Sequence, residues 1–299
     1  MTWLACGASV TGSEHERRGL GCDDAYGYGI VGDFVVAAVA DGAGSVSGTS
    51  AWGAYTACQS VIADALQPRF VHDFQTTPPE HGETLMRWLF DCAVMRVRES
   101  AAQMRLDPSR LSTTLCVALA ARDHAVFGQI GDGIIATEND GHIDTLLIES
   151  KDDYANSTWF IQSDDAFEES YRTVIQSGIT AFALSTDGMS YKITNVATGE
   201  PYEPFFRGSW HHVRSGVSAD KFAELLHGIE DDQTGDDKTM VLAAMADGQS
   251  GPTQPIVSSS APPPAAADTP PDAPATPSDS PDTPMVSPSR RRMFGRRRR

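Results

Sequence analysis

No stretch of this sequence approaches the ~18 consecutive apolar residues of a membrane-spanning helix; its apolar runs, such as FVVAAVA at 34–40, end after seven residues. Cysteine is scarce: five in 299 residues, at 6, 22, 58, 92 and 116, an odd number without CxxC spacing. That excludes a disulfide-framed secreted scaffold and leaves reduced, mostly core thiols as the expectation. The start, MTWLACG, lacks the basic residues and apolar stretch of an export signal. The cytoplasm is therefore the expected location. Basic residues are also few. The chain carries a net charge of −17, and its first 248 residues hold 16 Lys and Arg against 36 Asp and Glu, a net of −20. So acidic a body excludes a general nucleic-acid binder. After residue 248 large apolar side chains almost vanish into Pro, Ala, Ser, Thr and Asp. Such a segment cannot offset the entropy of ordering. The expected organisation is one folded domain over 1–248, a disordered linker over 249–289 and an Arg-rich tail over 290–299.

What is present reads as strands in blocks and helices in blocks. Trp3–Val10 has strand character, and Thr11–Cys22 reads as a loop. Ala25–Val31 and Phe34–Ala40 read as strands around a Gly32-Asp33 turn, the second apolar on both faces. Helical spacing marks Ser47–Leu66 and Thr84–Met104, with Trp52 and Trp88 placed in the core. Thr113–Ala121, His124–Ile130 and Ile134–Glu138 read as three strands joined by short turns. An acidic, irregular flap is expected over Glu149–Ser170, a strand over Ile179–Leu184, a helix over Ser218–Ile229 capped by Ser218, and a closing strand over Lys238–Met245. Short connections between neighbouring strands imply antiparallel pairing, and hence an α+β layered sandwich.

Three of the apolar strands run into Asp-Gly: Asp41-Gly42, Asp132-Gly133 and Asp187-Gly188. Two others are preceded by acidic pairs, Asp23-Asp24 and Asp236-Asp237. Asp-Gly is also the commonest hairpin signal, so each site alone reads as a turn or as a ligand. Brought to one sheet edge, the five sites would repel one another unless a cation compensated them. Oxygen ligands without His or Cys favour hard ions, Mg²⁺ or Mn²⁺. The literal GxGxxG at Gly27–Gly32 precedes a strand instead of opening a helix, which excludes a dinucleotide fingerprint.

The succession GCDDAY, VVAAVADGAGS, STTL, GQIGDG, LSTDG and GDDKTMVLAA resembles the metal-dependent serine/threonine protein phosphatases of type 2C, in particular their bacterial branch, over about residues 5–246. The resemblance implies a four-layer α-β-β-α sandwich of two antiparallel sheets, with two Mn²⁺ or Mg²⁺ ions at one edge. It implies that Asp41 bridges both ions, that the Gly42 carbonyl serves one, and that Asp187 and Asp236 complete the other. Asp23 and Asp24 would act through water, Asp132 with Asp187 would hold a third, weaker ion, and Asp237 would stand behind the ligands. The chemistry is expected to depend on Asp41, Asp24 and Asp187. The implied reaction is hydrolysis of phosphoserine and phosphothreonine in proteins by a water bridging the two ions. Phosphoprotein substrates and a cognate Ser/Thr kinase are the implied partners, and a monomer is expected.

Asp23 stands where many members carry Glu. Ala43 stands where eukaryotic members often place His as a general acid, which leaves His15 as a candidate donor or as a loop histidine. Arg17 or Arg18 is the candidate phosphate ligand, the two not being distinguished. An inactive phosphatase-like module that senses phosphate or regulates a partner is the alternative function. The basic tail suits an acidic partner, an acidic membrane surface or the acidic body itself.

Overall fold

A computed structural model describes residues 1–43, 48–148, 158–230, 233–247 and 251–264. The unit Met1–Ala265 contains all of these. Residues 149–157 of the expected flap, the far part of the expected linker and the Arg-rich tail lie outside the described residues. In chain order the elements are β1 (Thr2–Val10), α1 (Ser13–Arg18), β2 (Ala25–Val31), β3 (Phe34–Ala40), α2 (Ser50–Ala65), α3 (Pro68–Thr76), α4 (Gly82–Gln103), β4 (Leu115–Ala120) and β5 (His124–Ile130). There follow β6 (Ile134–Asn139), β7 (His142–Leu146), α5 (Ala166–Glu169), β8 (Arg172–Ser177), β9 (Ile179–Ser185), α6 (Ser190–Ile193), α7 (Glu203–Arg214), α8 (Ala219–His227), β10 (Lys238–Ala246) and β11 (Ile256–Ser259). No helix among the described residues is long and apolar enough to cross a membrane.

The strands form two sheets, ordered β1-β10-β9-β6-β7 and β11-β2-β3-β4-β5-β8, with antiparallel pairing throughout. Alternation along β3 explains the layering. Phe34, Val36, Ala38 and Ala40 point into a core shared with α2 and α4, while Val35, Ala37 and Val39 point into the core between the sheets. On the other sheet Val241 and Ala243 face the same central core, and Met240, Leu242 and Ala244 face α7 and α8. The order is helices, sheet, sheet, helices, as the four-layer sandwich requires. Trp210 of α7 is fully buried and its indole N–H donates to the Phe182 carbonyl at 3.0 Å, which fastens the outer helix to the sheet.

Four sequence expectations change. Thr11–Cys22 contains α1, closed by Gly19 in the left-handed region at φ 69°. On α4 the buried side is Met86, Leu89, Phe90, Ala93, Val94 and Val97, so Trp88 is 46% exposed and lies over Phe70 at 5.9 Å. That helix has apolar residues on several sides, and the sheet covers the side of Met86, Phe90 and Val97, leaving Trp88 and Met95 outside. The strands β5 and β6, expected as neighbours, belong to different sheets. The chain crosses between layers at Gly131–Gly133, where Gly131 has φ +99° and Gln129 Nε2 donates to the carbonyls of Gly131 (2.7 Å) and Gly133 (2.9 Å). Finally, the expected linker is ordered at its start. Ile256–Ser259 form β11 against β2, flanked by Gly32 N–H to Pro252 O (2.8 Å) and Ser260 N–H to Tyr26 O (3.0 Å). Ile256 and Val257 remain more than half exposed, so backbone pairing with an otherwise open edge holds this strand.

A chain ending at residue 248 is therefore expected to be less stable than one ending at 264 by about 1–3 kcal/mol, the sum over four cross-strand pairs. It should also self-associate through β2. Urea unfolding and sedimentation of the two chains measure both, and equal stability would show that β11 contributes nothing.

Candidate active site

The strand registers bring the acidic sites to one edge. Ala25 pairs with Ala40, so Asp23 and Asp24 before β2 lie beside Asp41 and Gly42 after β3. Met240 and Ile134 both pair with Ser185, so Asp236 before β10 and Asp132 before β6 flank Asp187 after β9. Leu115 pairs with Ile130 and Val10 with Lys238, which adds Thr113 and Thr114 and the α1 turn to the same edge. Each site residue thus sits a few positions beyond the end of an antiparallel pair.

Backbone contacts hold this edge tightly. Asp41 N–H donates to Thr114 Oγ1 (3.0 Å), and its carbonyl accepts from Thr114 N–H (2.9 Å) and Thr113 Oγ1 (3.0 Å). A Cβ at Gly42 would lie 2.5 Å from the Asp23 carbonyl oxygen, and one at Gly188 would lie 2.0 Å from that of Asp237. These two glycines belong to Asp-Gly pairs read from sequence as possible turns, and here close backbone approach requires them.

The carboxylates lie in a mutually repulsive field. Burial first, then the charges of Asp24, Asp187, Asp236 and Asp132, push the Asp41 carboxyl well above the usual carboxylate range. Asp24 is driven up by burial and then by Asp237, against the opposing hydrogen bond from Thr186 Oγ1 at 2.7 Å. Asp23 is 4% exposed and accepts from Ser50 Oγ at 2.9 Å. Asp132 accepts from Thr158 Oγ1 at 3.0 Å. Cys22, next in the chain, is also raised well above its normal range by burial and by Asp24 and Asp237, so its thiol is held neutral beside the site.

Asp41 and Asp236 open into a cleft of about 310 Å³ lined also by Glu14, His15, Ala43, Thr158, Phe160 and Thr234. His15 is a buried residue of this cleft and not an exposed loop histidine. Its Nδ1 stands 2.9 Å from Asp237 Oδ2. Asp237, placed behind the ligands from sequence, joins three segments. It accepts from Gly12 N–H at 2.7 Å, from Asp23 N–H at 2.6 Å and from His15, while its own N–H donates to Asp236 Oδ1 at 2.9 Å. Its sequence signal was only the second position of an acidic pair. Arg17 and Arg18 do not line the cleft. Both are exposed and pair with Glu14, Arg18 at 3.4 Å.

Among the described residues, no three His, Cys, Asp or Glu side chains stand close enough together to hold one ion by themselves. The donor set fits a hard, partly hydrated cation. Mg²⁺ binds through one or two carboxylates and retains water, and a cation here would relieve the repulsion that raises Asp24 and Asp41. Asp41 and Asp236 line one cleft, and Asp24, Asp132 and Asp187 stand near enough to act on the Asp41 carboxyl.

Comparison with known proteins bears on the family and the fold. A family model described as protein phosphatase 2C matches residues 11–227. The chain is 26% identical over 264 residues to serine/threonine-protein phosphatase 3 of Escherichia coli (strain K12), which covers 83% of this chain and all of that protein. Its fold is similar to the S. agalactiae serine/threonine phosphatase, at TM-score 0.58 and 12% identity over 81% of this chain and 99% of that one. It is likewise similar to a bacterial serine phosphatase, at TM-score 0.54 and 16% identity over 82% and 99%.

Two outcomes test the electrostatics. Replacing Asp237 with Ala strands the N–H groups of Gly12 and Asp23, and is expected to cost about 3 kcal/mol in urea unfolding. For Asp41 the sign runs against ordinary acid denaturation. Below the usual carboxylate range the folded and unfolded chains both hold the proton. Above it the unfolded chain ionises first, so stability falls as pH rises toward the raised folded value. In chelator, Asp41→Asn should melt above the wild type at pH 8 and converge with it near pH 4. A variant no more stable at pH 8 would contradict the repulsion.

Proposed function

We propose, on the premise that this chain belongs to the protein phosphatase 2C family, that it hydrolyses phosphoserine and phosphothreonine in proteins with Mn²⁺ or Mg²⁺ at the aspartate edge. The observation that carries the reading is the gathering of Asp24, Asp41, Asp132, Asp187 and Asp236 at one edge, where burial and then the four neighbouring charges raise Asp41. The same observation speaks against an inactive phosphate-sensing module, because such clustering lowers stability unless a cation is used. Relatives named as serine/threonine phosphatases support the substrate class. A Ser/Thr kinase that installs the phosphate is the corresponding partner.

When bound, the two ions would acidify a water and offset the charge of the phosphoryl oxygens. Asp41, Asp187, Asp236 and the Gly42 carbonyl would hold the two ions, and Asp132 with Asp187 would hold a weaker third. Asp23 and Asp24, fixed by Ser50 and Thr186, would orient water at the edge.

The seryl or threonyl oxygen leaves as an alkoxide and needs a proton. Ala43 supplies none, and His15 lines the same cleft as Asp41 and Asp236. A carboxylate only accepts, so Asp237 holds the proton on His15 Nδ1 and fixes the ring, which leaves Nε2 to give a proton to the departing oxygen when the imidazole is charged. Arg17 and Arg18 can reach phosphate only after leaving Glu14.

The full chain is expected to turn over p-nitrophenyl phosphate and a phosphothreonine peptide with Mn²⁺ or Mg²⁺ and to stop in EDTA, with Asp41→Asn and Asp187→Asn each reducing kcat by at least ~10²-fold. Metal-independent turnover, or variants as active as wild type, would refute the reading. His15→Asn should lower kcat on the phosphothreonine peptide by about 10²-fold and on p-nitrophenyl phosphate far less, because nitrophenolate departs without a proton. Equal losses on both substrates would reduce His15 to a structural role.

A further inference from the structure

The cleft above Asp41 is smaller than the opening beside it. A groove of about 900 Å³ is lined by Asp132 and Asp187 together with Ile148, Tyr191, Val196 and Thr234. Thr234 also lines the cleft of Asp41 and Asp236, so the two spaces adjoin. The groove far exceeds what a phosphate group occupies and reaches the upper range of ligand pockets. Its lining is neutral among the described residues apart from the two aspartates, on a body whose first 248 residues carry a net −20.

Ile148, Tyr191 and Val196 are 39%, 52% and 40% exposed. Single exposed apolar side chains are ordinary, whereas three from separate segments around one groove mark a binding surface. Each is held in place. Asp187–Met189 form a 3₁₀ turn that continues into α6, so Tyr191 follows Asp187 by four residues, about one turn. Val196 is displayed by a tight loop in which Asn195 N–H donates to Glu200 O (2.8 Å), Gly199 N–H to Asn195 O (2.7 Å) and Ala197 N–H to Asn195 Oδ1 (3.1 Å). Such tips are usually polar. Ile148 follows β7, whose Thr145 hydroxyl donates to the Gly199 carbonyl and braces that loop.

We propose that this groove binds the polypeptide flanking the phosphorylated residue and selects apolar side chains there. The inference rests on the phosphatase reading and adds a substrate class to it. An extended segment entering from Asp132 and Asp187 sets alternate side chains about 7 Å apart on one face, and these meet Tyr191, Val196 and Ile148 while the phosphate occupies the cleft. Beyond Asp132 and Asp187 at its entrance, the described lining offers no charged partner to a basic or acidic flanking residue.

The test uses the full chain with Mn²⁺ and two phosphothreonine peptides that differ only in flanking residues, Leu and Val in one against Asn and Thr in the other. Wild type is expected to show about tenfold higher kcat/KM on the apolar peptide. Tyr191→Ser combined with Val196→Ser should bring the ratio near one. Val196→Lys should turn the preference by about fivefold toward a peptide with Asp at the flanking position, a gain that misfolding cannot produce. A wild-type ratio near one, a preference that survives the double variant, or turnover of p-nitrophenyl phosphate without turnover of either peptide would overturn the inference and leave the phosphatase reading standing. No metal-dependent turnover of any of the three substrates would remove that reading, and the inference with it.

Discussion

The repulsion among carboxylates gathered at one edge of the sandwich is the constraint around which the remaining structure is organised. Asp41 is raised first by burial and then by four acidic neighbours. Holding such groups together requires a rigid frame, and two antiparallel sheets supply it because every strand pair ends at the same rim. Thr114, Thr186, Ser50 and the Asp237 carboxylate fix the backbone and side chains there with short hydrogen bonds. The interior behind the rim, from Phe34 through Phe127 and Phe182 to Trp210, is packed without exposure. The stability of that core allows the rim to remain electrostatically unfavourable.

Much of the fold was legible because its signals were local. FVVAAVA announced a strand buried on both faces, and its alternate side chains do enter two different cores. Ser218 was read as a cap, and its hydroxyl accepts from Lys221 N–H. The misreadings arose where tertiary pairing decided. Gly131–Gly133 looked like a hairpin turn, yet the chain passes there from one sheet to the other. Ile256-Val257-Ser258-Ser259 sat inside a Pro-rich stretch whose average composition masked a short β-branched pattern, and the open edge of β2 captured it.

Within the site, the acidic positions were visible as strand-end Asp pairs and Asp-Gly pairs, while their supports were not. Thr114 and Thr186 lie in the STTL and LSTDG motifs, yet nothing in the spacing assigns them as hydrogen-bond supports of Asp41 and Asp24. The partnership of His15 and Asp237 spans 222 positions and no spacing rule could suggest it. The two arginines illustrate the converse. Proximity in sequence made them candidates, and an intervening Glu14 on the same helical turn engages both.

The pairing of β1 with β10 has a consequence for the order in which the protein can be made. β10 lies between β1 and β9 in its sheet, with Thr2 against Ala246 and Val10 against Lys238. As the polypeptide emerges from the ribosome, β1 waits for β10 before it can enter a sheet, and the Gly12 and Asp23 amides wait for Asp237. Non-local closure of this kind is slow relative to helix formation. The nascent chain therefore lacks an assembled acidic rim until translation has passed residue 246, so the newborn protein acquires that edge late in its folding.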